Sequence, residues 1–376
     1  MKESLLTDIC EVQYGYAFDS KLFNDNEGLP VIRIRDVVRG YSETKTTEKC
    51  PDSYIINNGD ILIGMDGEFN IARWKGGKAL LNQRVCKLIP KYVNADYVLY
   101  YMPIALKAIE EKTPFVTVKH LSAKEINKIV VPLPDEFQQR YISKLLSLCD
   151  SLLLKNMLLL KKLDELIKSR FVEMFGDCKT NPQNWKTVPI ENIANVGSSK
   201  RVFVEELKNE GIPFFRGTEV GALAESKSMN PELFITEEHY QELINESGQP
   251  KRGDLLMPSI CPDGRIWLVN TDSPFYFKDG RVLWIHDIIP KINPTFLLYT
   301  LKDRIMTDYS SIASGTTFAE LKIFALKKCK IFDVPIDLQN KFESFILSVN
   351  QQKATVQKSI DKLETLKKSL MQEYFG

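Results

Sequence analysis

KLDELIKS at 162–169 returns as KLETLKKS at 362–369, and each copy runs on to a Phe-Gly, at 175–176 and at 375–376. The displacement between the copies is 200 residues. Upstream at the same displacement, TVKHL at 117–121 faces TFAEL at 317–321, and VPLPDEFQ at 131–138 faces FDVPIDLQ at 332–339, one residue further along. Earlier the displacement shrinks, as it must when loops differ in length. GLPVIRIRDV at 28–37 matches GIPFFRGTEV at 211–220, and GDILIGMDG at 59–67 matches GDLLMPSICPDG at 253–264. Asn82-Gln83-Arg84-Val85 matches Asp279-Gly280-Arg281-Val282. Strand–turn sequences can agree by chance, but matches kept in order across both halves mark two copies of one unit.

Within each unit the first two-thirds carries short β-type runs between turns. These are Val31–Ile34, Ile61–Ile63 and Val85–Ile89 in the first copy, and Pro213–Arg216, Leu255–Met257 and Val282–Ile285 in the second. Helical segments intervene at Ala95–Glu111 and Pro294–Tyr309. Each head is therefore a mixed α/β domain.

The last third of each unit has a different texture. From Pro134 to Phe175, and from Pro335 to Phe375, there is no Gly and no internal Pro, and Leu, Lys and Glu dominate. Each stretch is expected to be one helix opening after its proline, a rod of roughly 60 Å at 1.5 Å per residue. The chain should divide into heads at 1–133 and 177–334 and helices at 134–176 and 335–376. One register serves both rods. Its columns are Ile142, Cys149, Asn156, Leu163, Arg170 with Leu145, Leu152, Leu159, Leu166, Glu173, then Phe342, Val349, Val356, Leu363, Leu370 with Phe345, Gln352, Ser359, Leu366, Glu373. That is a coiled-coil pattern. The first rod carries a surplus apolar stripe at Leu146, Leu153, Met157, Leu160, Ile167, Phe171 and Met174, which must pack on the heads or on another protein.

Composition narrows the function less than the repeat does. Lys plus Arg (50) nearly cancels Asp plus Glu (49), so a nucleic-acid partner would have to be held by local basic surfaces. The seven cysteines are scattered, with no CxxC pair, which argues against disulfides or a zinc ribbon and fits a reducing cytoplasm. The opening MKESLLTDICEVQ lacks a signal-peptide core, and the apolar run Leu145–Leu160 is broken by Asp150, Lys155 and Asn156, so a soluble cytoplasmic protein is expected. No phosphate loop, dinucleotide fingerprint or amino-methyltransferase motif is present, and the histidines at 120, 239 and 286 show no metal-ligand spacing. Asp66 and Glu68 form a close acidic pair, either a solvated Gly-rich turn or, in the alternative reading, the site of a DNA-modifying or DNA-cleaving enzyme. No catalytic residue and no metal site is assigned.

Three features point to nucleic acid. Between Glu68 and Asp96 there is no acidic residue, while Arg73, Lys75, Lys78, Arg84, Lys87 and Lys91 all occur, interleaved with Trp74 and Asn82-Gln83. That run is either a solvated basic face or a phosphate-binding surface. Asn, Gln and Arg are the side chains that read adenine and guanine edges. Finally, the two Gly-Asp strands agree, but the loops after them, GMDGEFN at 64–70 and PSICPDGR at 258–265, do not. Heads that share a scaffold and differ in loops should recognise different things.

The order PVIRIRDV, GDILIG, NQRV, then TVKHLSAKEINKIVVPLPDEFQQ leading into a long helix resembles the specificity subunit of type I restriction–modification systems. The resemblance covers the whole chain; the second copy departs in FDVPIDLQ and in lacking the Asn-Gln pair. It implies an α+β architecture of two target recognition domains alternating with two long helices, paired antiparallel about a pseudo-twofold axis. It also implies a non-catalytic subunit whose heads each read half of a bipartite, asymmetric double-stranded DNA target in the major groove, the helices setting the spacer. Two methyltransferase subunits would dock on it, joined by a motor–nuclease subunit, with S-adenosylmethionine, ATP and Mg²⁺ on those partners and no cofactor here. Expected DNA contacts in the first head are Arg33, Arg35, Met65, Asp66, Arg73, Lys75, Asn82, Gln83, Arg84, Lys119 and His120. In the second they are Arg216, Thr218, Ser259, Arg265, Lys278, Arg281, Thr316 and Thr317. Partner docking is expected at Leu146, Leu153, Met157, Leu160, Ile167 and Phe171.

Overall fold

The duplication recurs in the computed structural model, which describes residues 2–112, 119–227, 229–314 and 319–376. By packing, the chain divides into residues 1–157 with 358–376, and residues 158–357. The division falls inside both long helices. Each unit therefore holds one head and a stretch of each helix.

The first head is built on a four-stranded antiparallel sheet in the order Cys10–Tyr14, Val85–Pro90, Ile61–Gly64, Asn70–Arg73. The second repeats that order with Asn195–Gly197, Val282–His286, Leu255–Pro258, Trp267–Leu268. A parallel pair lies alongside each sheet in the chain's order: Leu29–Ile32 with Ala79–Leu81, and Ile212–Phe215 with Tyr276–Phe277. Glu3–Leu5 pairs with Val130–Pro132, and Thr187–Pro189 with Lys330–Phe332. The second head differs by an added helix, Glu237–Ser247, opened by the Thr236 hydroxyl accepting from His239 N–H at 3.2 Å.

The Gly-Asp strand is apolar at every position because both of its faces are covered. Ile61 and Ile63 join Tyr97, Val98 and Met102 of the helix Ala95–Lys112 in one core, while Leu62 joins Ile32, Val37 and Trp74 in another. Successive side chains of a strand point to opposite faces, so three consecutive aliphatics serve two cores. In the second head Leu255 and Met257 pack with Phe296 and Leu297, and Leu256 with Phe215 and Val220.

The long helices run Glu136–Phe175 and Ile336–Phe375, 40 residues each. Their buried seam corrects one column of the expected register. Ile142, Cys149, Leu163, Phe342, Val349 and Leu370 are buried as expected, but Leu152, Leu159 and both Leu166 and Leu366 are exposed. The second column lies one residue later, at Leu146, Ile167, Ile346 and Ile360, which are buried. Adjacent leucines at 145–146, 152–153 and 159–160 made both columns apolar, so period alone did not separate them. Within the first unit Asn156 donates to Ser359 at 3.2 Å and Lys367 meets Asp150 at 2.5 Å. Within the second, Lys353 meets Asp164 at 2.6 Å and the rings of Phe171 and Phe342 lie 5.6 Å apart. In each unit rising numbers in one helix meet falling numbers in the other, which is antiparallel contact.

The one-residue slip between VPLPDEFQ and FDVPIDLQ disappears in three dimensions. The glutamines in equivalent positions are Gln139 and Gln339, both buried, at the original displacement of 200. Gln139 donates to the Pro134 carbonyl and Gln339 to the Val334 carbonyl, at 2.8 and 2.7 Å.

Candidate nucleic-acid interface

Three segments of the first head are laced together by backbone hydrogen bonds. Met65 N–H donates to the Arg84 carbonyl at 3.0 Å, Leu121 N–H to the Met65 carbonyl at 2.7 Å, and Gly67 N–H to the Lys119 carbonyl at 2.9 Å. Gly15 allows the neighbouring strand to come this close, since a Cβ there would overlap the Asn82 carbonyl. On this frame Asp66, with 18% of its side chain exposed, holds two cationic or potentially cationic partners. Arg84 Nε lies 3.4 Å from Oδ2, and His120 Nδ1 lies 2.5 Å from Oδ1. Arg84 and His120 are themselves 52% and 48% exposed, so their outer faces look to solvent.

The second head repeats the lacing with different chemistry. Ser259 N–H donates to the Arg281 carbonyl at 2.9 Å and Leu321 N–H to the Ser259 carbonyl at 2.8 Å. Arg281 occupies the place of Arg84 and is 58% exposed, but its carboxylate comes from Glu320, on the segment that supplies His120 in the first head. Lys322 reaches the same carboxylate at 2.8 Å, and its hydrogen bond, with Arg281 adding to it, holds the Glu320 carboxyl below its ordinary range. Glu320 and Lys322 were not among the expected contacts. The match of TVKHL with TFAEL, which sets Glu320 opposite His120, was the signal that pointed to the first of them.

Other expected contacts are tied up inside the heads. The Asp36 carboxylate accepts from Arg33 N–H at 3.0 Å, and Arg33 Nη2 donates to the Thr44 hydroxyl at 2.5 Å. Glu219 repeats this, accepting from Arg216 N–H at 2.7 Å, from the Arg216 guanidinium at 2.6 Å and from the Thr218 hydroxyl at 3.0 Å. Burial alone would raise the Glu219 pKa, but those bonds outweigh it and hold it at about 2. The Arg216 guanidinium is raised in turn, chiefly by its bond to Glu219. Arg73 clamps Asp96 at 2.6 Å and the Gly59 carbonyl at 2.8 Å. Lys119 reaches the Glu110 carbonyl at 2.9 Å, and Arg265 the Asp263 carboxylate at 2.8 Å.

The acid-free stretch of sequence is thus not acid-free in space. Lys87 pairs with Asp60 at 2.9 Å and Lys91 with Glu11 at 2.8 Å, alongside Arg73 with Asp96 and Arg84 with Asp66. Lys75 and Lys78 stay exposed, with no ion pair among the described residues, as do Gln83 and Lys278; Arg35 is exposed but lies 3.7 Å from Asp36. Met65, Asn82 and Ser259, expected at the DNA surface, are instead buried, at 5, 8 and 3% exposure, and serve the frame. Thr316 and Thr317 lie outside the described residues.

The docking stripe is corrected in part as well. Leu146, Ile167 and Phe171 are buried against the heads, Phe171 among the rings of Phe175, Phe296 and Phe342. Leu153 and Leu160 are half-buried, and Met157 is exposed. The open apolar surface of the long helices includes Leu148, Leu152, Leu154, Met157 and Leu366 in the first unit and Leu158, Leu159, Leu166 and Leu347 in the second. Among the described residues no group of three or more His, Cys, Asp or Glu is placed to hold a metal, and no helix is long and apolar enough to cross a membrane.

A family model described as the type I restriction modification DNA specificity domain matches residues 1–163 and again 182–373, one match per repeat. The EcoBI specificity subunit of an Escherichia coli type I restriction enzyme is 38% identical over 143 residues, which is 37% of this chain and 30% of that subunit. The match thus spans less than a third of that relative's length. The MjaVIII specificity subunit of Methanocaldococcus jannaschii is 22% identical over 379 residues, covering 91% of this chain and 87% of that one. Among solved structures, the S subunit of the type I restriction–modification system from M. genitalium covers the chain completely with a TM-score of 0.60 at 14% identity, a likeness of fold.

Proposed function

Since this chain belongs to the type I restriction modification DNA specificity family and is a DNA sequence-specificity subunit, we propose that each of its heads reads one half of a split, asymmetric target. The observation that carries this reading is the repeated frame with exchanged chemistry. The same lacing presents Arg84 beside Asp66 and His120 in one head and Arg281 beside Glu320 and Lys322 in the other. Equal scaffolds position the heads alike, and unequal side chains make the two half-sites differ.

The long helices set the distance between half-sites, and their exposed leucines, with the heads, receive two methyltransferase subunits. A motor–nuclease subunit joins that assembly. The chain itself does no chemistry; S-adenosylmethionine, ATP and Mg²⁺ act on the partners, in the cytoplasm. Against an enzymatic site at Asp66 and Glu68 stands the engagement of Asp66 by Arg84 and His120. Methylome sequencing with the gene present and deleted tests the reading: a bipartite methylated motif should vanish with the gene, and an unchanged methylome would refute it. Inserting one heptad into both helices should lengthen the spacer and leave both half-sites intact.

A further inference from the structure

We propose that Arg84 and Arg281 are the guanine-reading residues of the two heads, so that each half of the target contains a guanine recognised by one carboxylate-held arginine; this rests on the half-site reading above. Both arginines stand at the same place in the repeated frame, immediately before the strands that begin at Val85 and Val282. Both are more than half exposed, while Asp66 and Glu320, which hold them, are only 18% and 23% exposed. The carboxylate lies at the base and the guanidinium is held above it.

Contact with phosphate is the competing role for an exposed arginine, and the partners decide against it. Phosphate attraction needs positive charge and little orientation. The carboxylate beside each guanidinium offsets one positive charge, with Lys322 leaving one at the second site, and above all fixes the orientation of the fork, which a phosphate does not require. A guanine edge makes the opposite demand. It offers O6 and N7 as two acceptors, which need two donors in a fixed plane and are nearly indifferent to net charge. Each arginine keeps such an edge. Asp66 sits against Nε of Arg84, leaving the terminal nitrogens with one 3.5 Å contact to His120. Glu320 takes Nη1 of Arg281, leaving Nη2 and Nε. Holding the fork before DNA arrives removes part of the ordering cost of binding. Because the acid engages a different nitrogen in each head, the free edge also differs. The guanine then sits differently in each half-site, consistent with an asymmetric target.

The test is the methylated motif made by the intact complex. With the wild-type chain, each half-site should contain an invariant guanine; a half-site without one overturns the assignment for that head, with no variant needed. Arg84→Gln and Arg84→Lys should each relax that guanine in one half-site only, lowering discrimination roughly 5- to 150-fold. Arg281→Gln and Arg281→Lys should do the same in the other half. Lysine keeps the charge and loses the fork, so a lysine variant with full discrimination overturns the proposal, as does uniform loss of methylation at an unchanged motif. Asp66→Asn and Glu320→Gln, which leave the arginines in place, should weaken discrimination at the same guanine; no change would show that the carboxylates do not orient the readers. If no motif depends on the wild-type chain at all, the specificity reading fails, a result distinct from a motif that lacks the guanines.

Discussion

The side-chain carbonyl of Gln339 accepts the backbone N–H of Asn293 at 2.8 Å, and Asn293 in turn opens the helix Pro294–Ile312 by accepting from Thr295 N–H at 2.9 Å. Gln139 accepts from Asn94 N–H at 2.8 Å, and Asn94 accepts from Tyr97 N–H at 3.0 Å. One buried amide thus ties the start of each long helix to the start of the helix in its own head. Replacing Gln339 or Gln139 by Leu strands several buried backbone groups, each costing about 1–3 kcal/mol. Urea unfolding should show each variant less stable by about 2 kcal/mol or more, and unchanged midpoints would refute the clamp.

The basic residues of the first head should separate into two kinds. Lys75 and Lys78 are exposed without ion pairs among the described residues, whereas Arg73 clamps Asp96. Lys75→Ala and Lys78→Ala should each reduce the slope of log binding constant against log salt by about 0.9 and leave the melting temperature unchanged. Arg73→Ala should do the reverse, with a small loss of stability and an unaltered salt slope. Equal behaviour of all three in DNA-binding titrations would contradict the partition.

Acid should release the Arg216–Glu219 clamp at a defined point. The Glu219 carboxyl is held at about 2 against an ordinary value of 4.5, so the folded state favours its charged form. A depressed carboxylate stabilises the fold above its unfolded pKa, and that contribution is lost as pH falls from about 4.5 toward 2. Wild type should melt above Glu219→Gln at pH 7, and the gap should close across that window. A gap independent of pH would remove the charge from the account.

Thiol chemistry should single out Cys50. It is half-buried, and the other six cysteines are buried; burial pushes the thiols of Cys10, Cys86 and Cys261 up to about 12. Burial, with Asp52 and Glu48, raises the Cys50 thiol too, so its exposure sets it apart: an aromatic disulfide reagent at pH 8 should label this one site per native chain ahead of the others, in a fast phase. Cys50→Ser should abolish that fast phase, and its persistence would place the accessible thiol elsewhere.

Asn156 and Ser359 form a polar contact in the helix seam of the first unit. Ser359→Ala alone leaves the half-buried Asn156 amide without this partner and should cost about 1 kcal/mol. Asn156→Leu combined with Ser359→Ala removes both polar groups and should restore or exceed wild-type stability. Chemical denaturation giving losses that simply add would refute the coupling.

The duplication, the mixed heads and the extents of the long helices were legible because they rest on local signals: turn residues, apolar runs and the absence of Gly and Pro. Less legible was whatever depended on partners far along the chain. The basic run from Arg73 to Lys91 reads as an electropositive surface only until Glu11, Asp60, Asp66 and Asp96 return to it from other elements. Asn82 looked like a base reader by residue type, yet it is buried, and its side chain accepts from Gln83 N–H. Glu320 was missed for the complementary reason: an acid seldom suggests DNA until the arginine it holds is seen beside it.

The division at 157 and 357 makes one unit of the chain contiguous and the other discontinuous. A gene segment running from codon 158 to codon 357 therefore encodes a whole head, the proposed reader of one half-site, together with the lengths of both rods that pack against it. Two crossovers at those points would transplant that reader between alleles without cutting either hydrophobic core, and a single crossover at the first point would not. If each head reads one half-site as proposed, inheritance in such a protein can shuffle half of an address while keeping the other half in force.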